Sequence, residues 1–250
     1  MPPLIAPMLA KTGKLPANVA EYGFEYKWDG YRAICYLDKG KISVVSRNLR
    51  DITWRCPELQ LLGEAYVKQR LVLDGEIVAL TEETRPSFAL LQRRMSLQSK
   101  ARIRHLAQQI PITFMAFDVL FIDGQLLLDQ PYTERRRRLA ALEVSGSYWQ
   151  TSPYWPGVGQ GIITASKQLG LEGVVAKKLD SPYEPGKRSG AWLKIKNIKR
   201  QELVIGGWLP MTGHAETVGA ILVGYYENDK LIYAGKVGTG FPAPFLARLR

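Results

Sequence analysis

The stretch EYKWDGYR, residues 25–32, decides how this chain reads. A lysine sits between two carboxylates, in an aromatic, strand-like run that an Asp29-Gly30 turn signal interrupts. In an extended segment side chains alternate, so Glu25, Lys27 and Asp29 share one face. Two flanking carboxylates by themselves stabilise an ammonium and make it a poorer nucleophile. A free lysine has a pKa of about 10.4, which leaves on the order of one molecule in a thousand neutral near pH 7.4. Covalent chemistry at Lys27 therefore requires other cations, desolvation or a metal ion that draws off the carboxylate charge. Taken alone, Lys-x-Asp-Gly is most simply a hairpin turn with a surface lysine.

Candidates for that compensation lie elsewhere in the chain. Arg32 and Arg47 are near in sequence, and Lys194 and Lys196 alternate onto one face of WLKIK (192–196). Glu76, in LVLDGEIVAL, and Glu172, in LGLEGVVAKK, each sit in or beside an apolar run, where an unpaired carboxylate is costly to bury. A hard cation with oxygen ligands explains both, and Mg²⁺ suits them better than Zn²⁺ because His105 and His214 are the only histidines. The same scarcity argues against a histidine-based triad.

Around these residues the chain alternates helices and strands irregularly. AICYLD (33–38) and KISVVS (41–46) flank a hairpin signal at Asp38-Lys39-Gly40, and PELQLLGEAYVKQR (57–70) reads as a helix opened by Pro57. Residues 71–80 are strand-like. PSFALLQRRM (86–95) returns to helical spacing with Phe88, Leu91 and Met95 on one core-facing stripe. ITFMAFDVLFIDG (112–124) is a long strand, Thr133 to Leu142 a helix capped by Thr133, and Gly161 to Leu169 another helix. GVVAKKL (173–179) and WLKIK are strands joined by the loop SPYEPGKRSG. This order, with its hairpins, predicts an α+β fold of antiparallel sheets rather than a doubly wound parallel one. Past Arg200 only short strands follow, as at the start of a small β-barrel.

The 250 residues carry 34 Lys and Arg against 23 Asp and Glu, a formal net charge of +11 that favours polyanionic partners, nucleic acid first. The cations cluster. Six fall between Arg85 and Arg104 with no acid among them, eight between Lys177 and Arg200 against two acids, and Arg135 to Arg138 are four in a row. The Arg135 run is as readily a solvated helix face as a functional one, whereas Pro, Gly, Tyr and Trp interrupt the Lys177 block, which is no simple polar helix face. Cys35 and Cys56, without a CxxC, provide no disulfide framework or thiolate metal site. No apolar run approaches the ~18 residues of a membrane span, and the expectation is a cytoplasmic protein.

The order of the motifs carries more than any one of them. EYKWDGYR resembles motif I (Lys-x-Asp-Gly-x-Arg) of the covalent nucleotidyltransferases, the superfamily of ATP-dependent DNA ligases, RNA ligases and mRNA capping enzymes. SRN (46–48), LDGEIV (73–78), FMAFDVLFIDG (114–124), LEGVVAKK (171–178) and WLKIK (192–196) follow in the superfamily's order. DGYR, FDVLFIDG, LEGVVAKKLDSPYEPGKRSGAWLKIK and VIGGW are most similar to bacterial ATP-dependent DNA ligases of the end-joining type. The resemblance implies a nucleotidyltransferase domain of antiparallel sheets with flanking helices at residues 1–198. It implies the N-terminal part of an OB-fold domain, a partial β-barrel, at 199–250.

It also implies roles. Lys27 would attack the α-phosphorus of ATP and become a lysyl-AMP. Glu25, Arg32, Arg47, Glu76, Phe117, Val175, Lys194 and Lys196 would bind the nucleotide, with Phe117 and Val175 on the two faces of adenine and the motif V lysines near the α-phosphate. Glu76 and Glu172 would hold Mg²⁺ or Mn²⁺. Lys187 and Arg188 would contact DNA phosphates, whereas Trp192 is as readily a packing residue. The partners implied are nicked or broken duplex DNA and end-joining repair proteins, with no membrane, for a monomer. Ligases of this type carry a further basic motif, motif VI, at the end of the barrel, whereas this sequence stops at FPAPFLARLR; the expectation is a form truncated within the OB domain that charges Lys27 less efficiently. An RNA ligase, a capping-type nucleotidyltransferase and a non-catalytic nucleic-acid-binding remnant of the fold are the alternatives.

Overall fold

In a computed structural model, residues 1–197, 202–242 and 245 are described. The chain forms two compact units, Met1–Asn197 and Ile198–Arg250. In the first unit the strands are β1 (Lys11–Thr12), β2 (Tyr22–Tyr26), β3 (Tyr31–Asp38), β4 (Lys41–Ser46), β5 (Arg70–Ala79) and β6 (Ile112–Ile122). They continue with β7 (Gln125–Leu126), β8 (Ser145–Gly146), β9 (Trp149–Thr151), β10 (Tyr154–Pro156), β11 (Gly173–Lys178) and β12 (Trp192–Lys196). The α-helices are α1 (Gln60–Ala65), α2 (Phe88–Met95), α3 (Lys100–Gln109), α4 (Tyr132–Ala141) and α5 (Gly159–Gln168).

These strands build two sheets. One runs β4-β3-β5-β6-β9-β8, with β7 pairing beside β6, and the other runs β1-β12-β11-β2-β10. Pairing is mostly antiparallel, as the hairpin signals imply, but β6 with β9 and β1 with β12 are parallel. The Asp38-Lys39-Gly40 signal forms the tight β3–β4 hairpin, with positive φ at Lys39 and Gly40 as a primed turn requires. The apolar sides of β3, β5 and β6 pack with α1 and α2 into the main core, which contains Leu37, Leu62, Leu73, Leu91 and Phe114. A second cluster, with Ile34, Val72, Phe117 and Trp192, lies on the opposite face of the same strands, so the larger sheet is covered on both sides.

Several local expectations change. The helix from Pro57 becomes a 3₁₀ turn followed by α1, which ends at Ala65, because Arg70 is already in β5. Phe88 is exposed and stacks on Tyr31 (5.8 Å between ring centres), leaving Leu91 and Met95 as the buried stripe of α2. Thr133 does not cap α4, whose N-cap position is Pro131, without a side-chain cap. Helix α3 lies in a segment where the sequence reading placed no element. In the Arg135 run, the solvated-face reading holds only for its second half: Arg135 and Arg136 are buried, while Arg137 and Arg138 pair with Glu134.

The second unit contains an antiparallel sheet of β13 (Val204–Met211), β14 (His214–Glu227) and β15 (Lys230–Val237). Val218, Ile221 and Val223 pack with Phe241 on one side. The terminal FPAPFLARLR lies largely outside the described residues.

Candidate active site

Lys27 sits where the chain changes sheets. β2 belongs to the smaller sheet and β3 to the larger, and residues 27–30 are the link between them. Gly30 is required there, since a Cβ would lie 2.2 Å from the Ile77 carbonyl oxygen of β5. The link is pinned by the Lys27 backbone N–H donating to the Gly173 carbonyl (2.9 Å) and by Trp28 Nε1 donating to Ser152 Oγ (2.9 Å). Between the sheets opens a cleft of about 700 Å³.

The cleft gathers most of the residues singled out from the sequence. Glu25, Lys27, Val175, Arg188 and Lys194 line it from the smaller sheet and its loop, and Arg32, Arg47, Glu76 and Phe117 line it from the larger sheet. Glu172, Lys196 and Lys187 do not line it. Glu172 still reaches Lys27, with which it makes a close ion pair, and its other oxygen pairs with Lys196 Nζ at 2.9 Å. Lys187 is exposed, with Nζ 3.9 Å from Glu184 Oε1, while Arg188 Nη1 donates to the Ala10 carbonyl.

The charge arrangement around Lys27 differs from the one its neighbours in sequence suggest. Among the described residues its side chain pairs with Glu172, and neither Glu25 nor Asp29 forms an ion pair with it. Glu25 is instead buried, accepting from the Tyr132 hydroxyl, with Lys177 Nζ 2.9 Å from Oε2 and Arg136 Nη1 3.6 Å from Oε1. Strand alternation stops at Tyr26, and long-range partners absorb the carboxylate that a local reading assigns to Lys27.

Lys177 is the residue that sequence reasoning missed. It is buried, lines the cleft, and holds Nζ 4.1 Å from the centre of the Phe117 ring and 4.2 Å from that of Trp192, cation–π geometry. Burial pushes its ammonium down from the usual lysine range, against the pull of Glu25. Its signal was a lysine directly after the apolar run VVA in VVAKK, at the same strand parity as Val175.

Arg32 is oriented before any ligand arrives. Asp74, fully buried, accepts from its Nε and Nη2 at 2.6 Å each, and the guanidinium lies 4.4 Å above the Phe117 ring. Nη1 has no hydrogen-bond partner among the described residues, so its two N–H groups are free for an anion. Burial pushes the Glu76 carboxyl up to about 7, with Arg32 and Lys27 acting against the rise. Glu172 moves the other way. Partial burial raises it, but the hydrogen bonds from Lys27 and Lys196 outweigh that and hold it below the usual carboxylate range. Lys194 is lowered by desolvation and by the cations Arg188, Lys196 and Lys27.

The described residues contain no cluster of three or more His, Cys, Asp or Glu fit for a metal ion. The donor set therefore suits a hard cation carried on phosphate oxygens and touched by one or two carboxylates, as is usual for Mg²⁺. Glu76, in the cleft wall with its carboxyl raised by burial, fits that role. Trp192, open to either reading from sequence, is buried in the cleft wall and packs edge-on against Phe117 and Tyr183.

Comparison with known proteins identifies the family. The family described as the ATP dependent DNA ligase domain matches residues 7–196. The multifunctional non-homologous end joining protein LigD of Mycolicibacterium smegmatis is 38% identical over 98% of this chain, which spans 31% of that protein's length. DNA ligase C of Mycobacterium tuberculosis is 34% identical over all of the chain and 70% of its own length. A solved mycobacterial DNA ligase D complexed with ATP and MES superposes with a TM-score of 0.68 at 36% identity, covering 98% of this chain and 76% of the other. No helix among the described residues is long and apolar enough to cross a membrane. The fold is α+β of the nucleotidyltransferase type, and the chain belongs to the ATP-dependent DNA ligase domain family.

Proposed function

We propose that this chain is an ATP-dependent DNA ligase that seals breaks between DNA 3′-hydroxyl and 5′-phosphate ends, in end-joining repair. The observation that carries the proposal is the convergence of Lys27, Arg32, Glu76, Phe117, Val175 and Lys194 on one cleft at the junction of two sheets. In this reading Lys27 Nζ, having lost its proton, attacks the α-phosphorus of ATP. A P–N bond forms, the bond from the α-phosphorus to the bridging oxygen breaks, and pyrophosphate leaves. A DNA 5′-phosphate oxygen then displaces Lys27 from the adenylate, and a 3′-hydroxyl displaces AMP to complete the phosphodiester.

The chain's own residues divide the work. Phe117 and Val175 take the faces of adenine, with Glu25 and Lys177 at the same end of the cleft. Arg32, fixed by Asp74, directs Nη1 at ribose or phosphate, while Arg47 and Lys194 meet phosphate oxygens. Lys194 and the second motif V lysine, Lys196, stabilise charge that moves onto phosphate oxygens in the transition state. Glu172 holds Lys27 Nζ in place until the α-phosphorus arrives. Glu76 and Glu172 would hold Mg²⁺ or Mn²⁺, which supplies charge neutralisation on the phosphates. Lys187 and Arg188 contact DNA phosphates, and residues 199–250 are the N-terminal part of an OB fold that follows, in sequence, an adenylation domain of residues 1–198.

The test is intact mass after incubation with ATP and Mg²⁺. The expected result is an AMP adduct on the wild type that is absent from Lys27→Ala. An adduct that persists in Lys27→Ala removes Lys27 as the nucleophile, and a wild type that never acquires one overturns the ligase reading.

A further inference from the structure

We propose that helices α2 and α3 form a DNA-backbone track beside the cleft, with Arg93, Lys100 and Arg104 contacting phosphates of the duplex; this rests on the ligase reading for the identity of the polyanion. The sequence carries no Asp or Glu between Glu83 and Asp118, yet six Lys and Arg. Of these, Arg94 is buried against Glu58 at 3.0 Å and Arg85 lies near Glu83, whereas Arg93, Lys100, Arg102 and Arg104 are exposed with no ion-pair partner among the described residues. Exposed cations without an ion-pair partner among the described residues also occur elsewhere, as at Lys41, Lys68 and Lys167, but those have Asp38, Glu64 and Glu172 close by in sequence, whereas the α2–α3 segment has no acid at all. A segment with four unmatched positive charges and no acid in its own sequence is complementary to phosphate.

Its position relative to the cleft is fixed. Arg55, in the cleft wall and stacked 4.3 Å from the Trp54 ring centre, donates to the carbonyls of Met95 and Leu97 and to Gln98 Oε1 (3.1 Å). Met95 also lines the cleft. The turn between the two helices is thus tied to the cleft wall, and α3 begins directly after it. Ile103 anchors α3 inward, while Lys100 and Arg104, one helical turn apart, share a stripe. The buried Arg94–Glu58 pair and the Glu58 acceptor for the Ile112 backbone N–H (3.2 Å) hold α2 to the start of β6, so the track is carried on rigid elements.

The test compares two variants of equal net charge. One is Arg93→Gln, Lys100→Gln and Arg104→Gln combined. The other is Lys41→Gln, Lys68→Gln and Lys167→Gln combined, three exposed lysines away from α2 and α3. Binding of nicked duplex DNA to the uncharged chain is measured across salt concentrations, and AMP adduct formation without DNA is measured beside it. The α2–α3 variant is expected to bind at least about tenfold more weakly at low salt, with the slope of log K against log salt reduced by about 2 to 3, while its adduct forms as in the wild type. The other variant keeps the wild-type slope. Equal losses in the two variants, or an unchanged slope in an α2–α3 variant whose thermal unfolding matches the wild type, overturn the track. A wild type that binds DNA but never acquires the adduct overturns the ligase reading instead, and the slopes still decide the track.

Discussion

Glu25 and Glu172 each have two cationic neighbours, and they are built in opposite ways. Glu25 is buried in the cleft wall with Lys177, Arg136 and the Tyr132 hydroxyl. Glu172 is partly exposed and joins Lys27 to Lys196, whose side chain is 53% exposed. Buried charges must be matched within the protein, because water cannot do it, so the first network is a structural commitment made when the chain folds. The second has water as an alternative partner, so its ion pairs can exchange at little cost when a ligand enters. The difference makes the Glu25 network preformed and the Lys27–Glu172–Lys196 network adjustable; in the proposed function these serve the base and the phosphates respectively.

The largest effect expected to test this contrast is from Lys177→Met. Removing the cation leaves Glu25 buried with a diminished set of partners, and unfolding in urea should show a loss of about 3–5 kcal/mol. A loss comparable to that of a surface substitution would place Glu25 in contact with water and dissolve the contrast. An intermediate effect is expected at Glu76. Its carboxyl is raised in the fold, so ionising it opposes folding, a penalty absent below the unfolded value near 4.5 and fully developed above about 7. Glu76→Gln should therefore stabilise the protein at pH 8 and leave it nearly unchanged at pH 4; identical shifts at the two pH values would contradict the burial of the carboxylate.

The smallest effect on stability is expected from Glu172→Gln. For a partly exposed pair the loss should stay below about 1 kcal/mol and shrink further when salt is raised, while the Lys177→Met loss does not. The same variant should form the AMP adduct more slowly, because Lys27 loses its holding partner. If salt fails to separate the two variants, the networks are electrostatically alike.

Much of the cleft was legible in the sequence because covalent nucleotidyl transfer demands several unusual side chains in a fixed order, and order survives in one dimension. Strands were legible through their alternation and their Asp-Gly and Lys-Gly turn signals. Lys177 and Arg135 were less so: both read as members of a basic run, and only tertiary pairing with Glu25 and Asp118 takes them inside. Arg135 is bound to the two Asp118 oxygens and to the carbonyls of Gln130 and Ser181, partners spread over distant segments. Helix α3 was missed because one buried residue, Ile103, anchors an otherwise polar segment, too few for a visible apolar stripe. The exchange of Glu25 for Glu172 beside Lys27 could not be read from spacing at all, since it depends on where β2 ends.

The link at residues 27–30 has a mechanical side. A second, shorter link at residues 152–153 joins β9 to β10, returning from the larger sheet to the smaller, and the Trp28–Ser152 hydrogen bond rivets the two together, with Arg136 Nη2 donating to the Ser152 carbonyl at 2.7 Å. Four extended residues reach at most about 14 Å. The sheets are thus clasped along one edge, like the spine of a book, and Lys27 is printed on the spine. Any flexing of the covers about that spine moves Lys27 least. In the proposed ligase, the nitrogen that takes up AMP is thereby kept in register whatever the width of the opening.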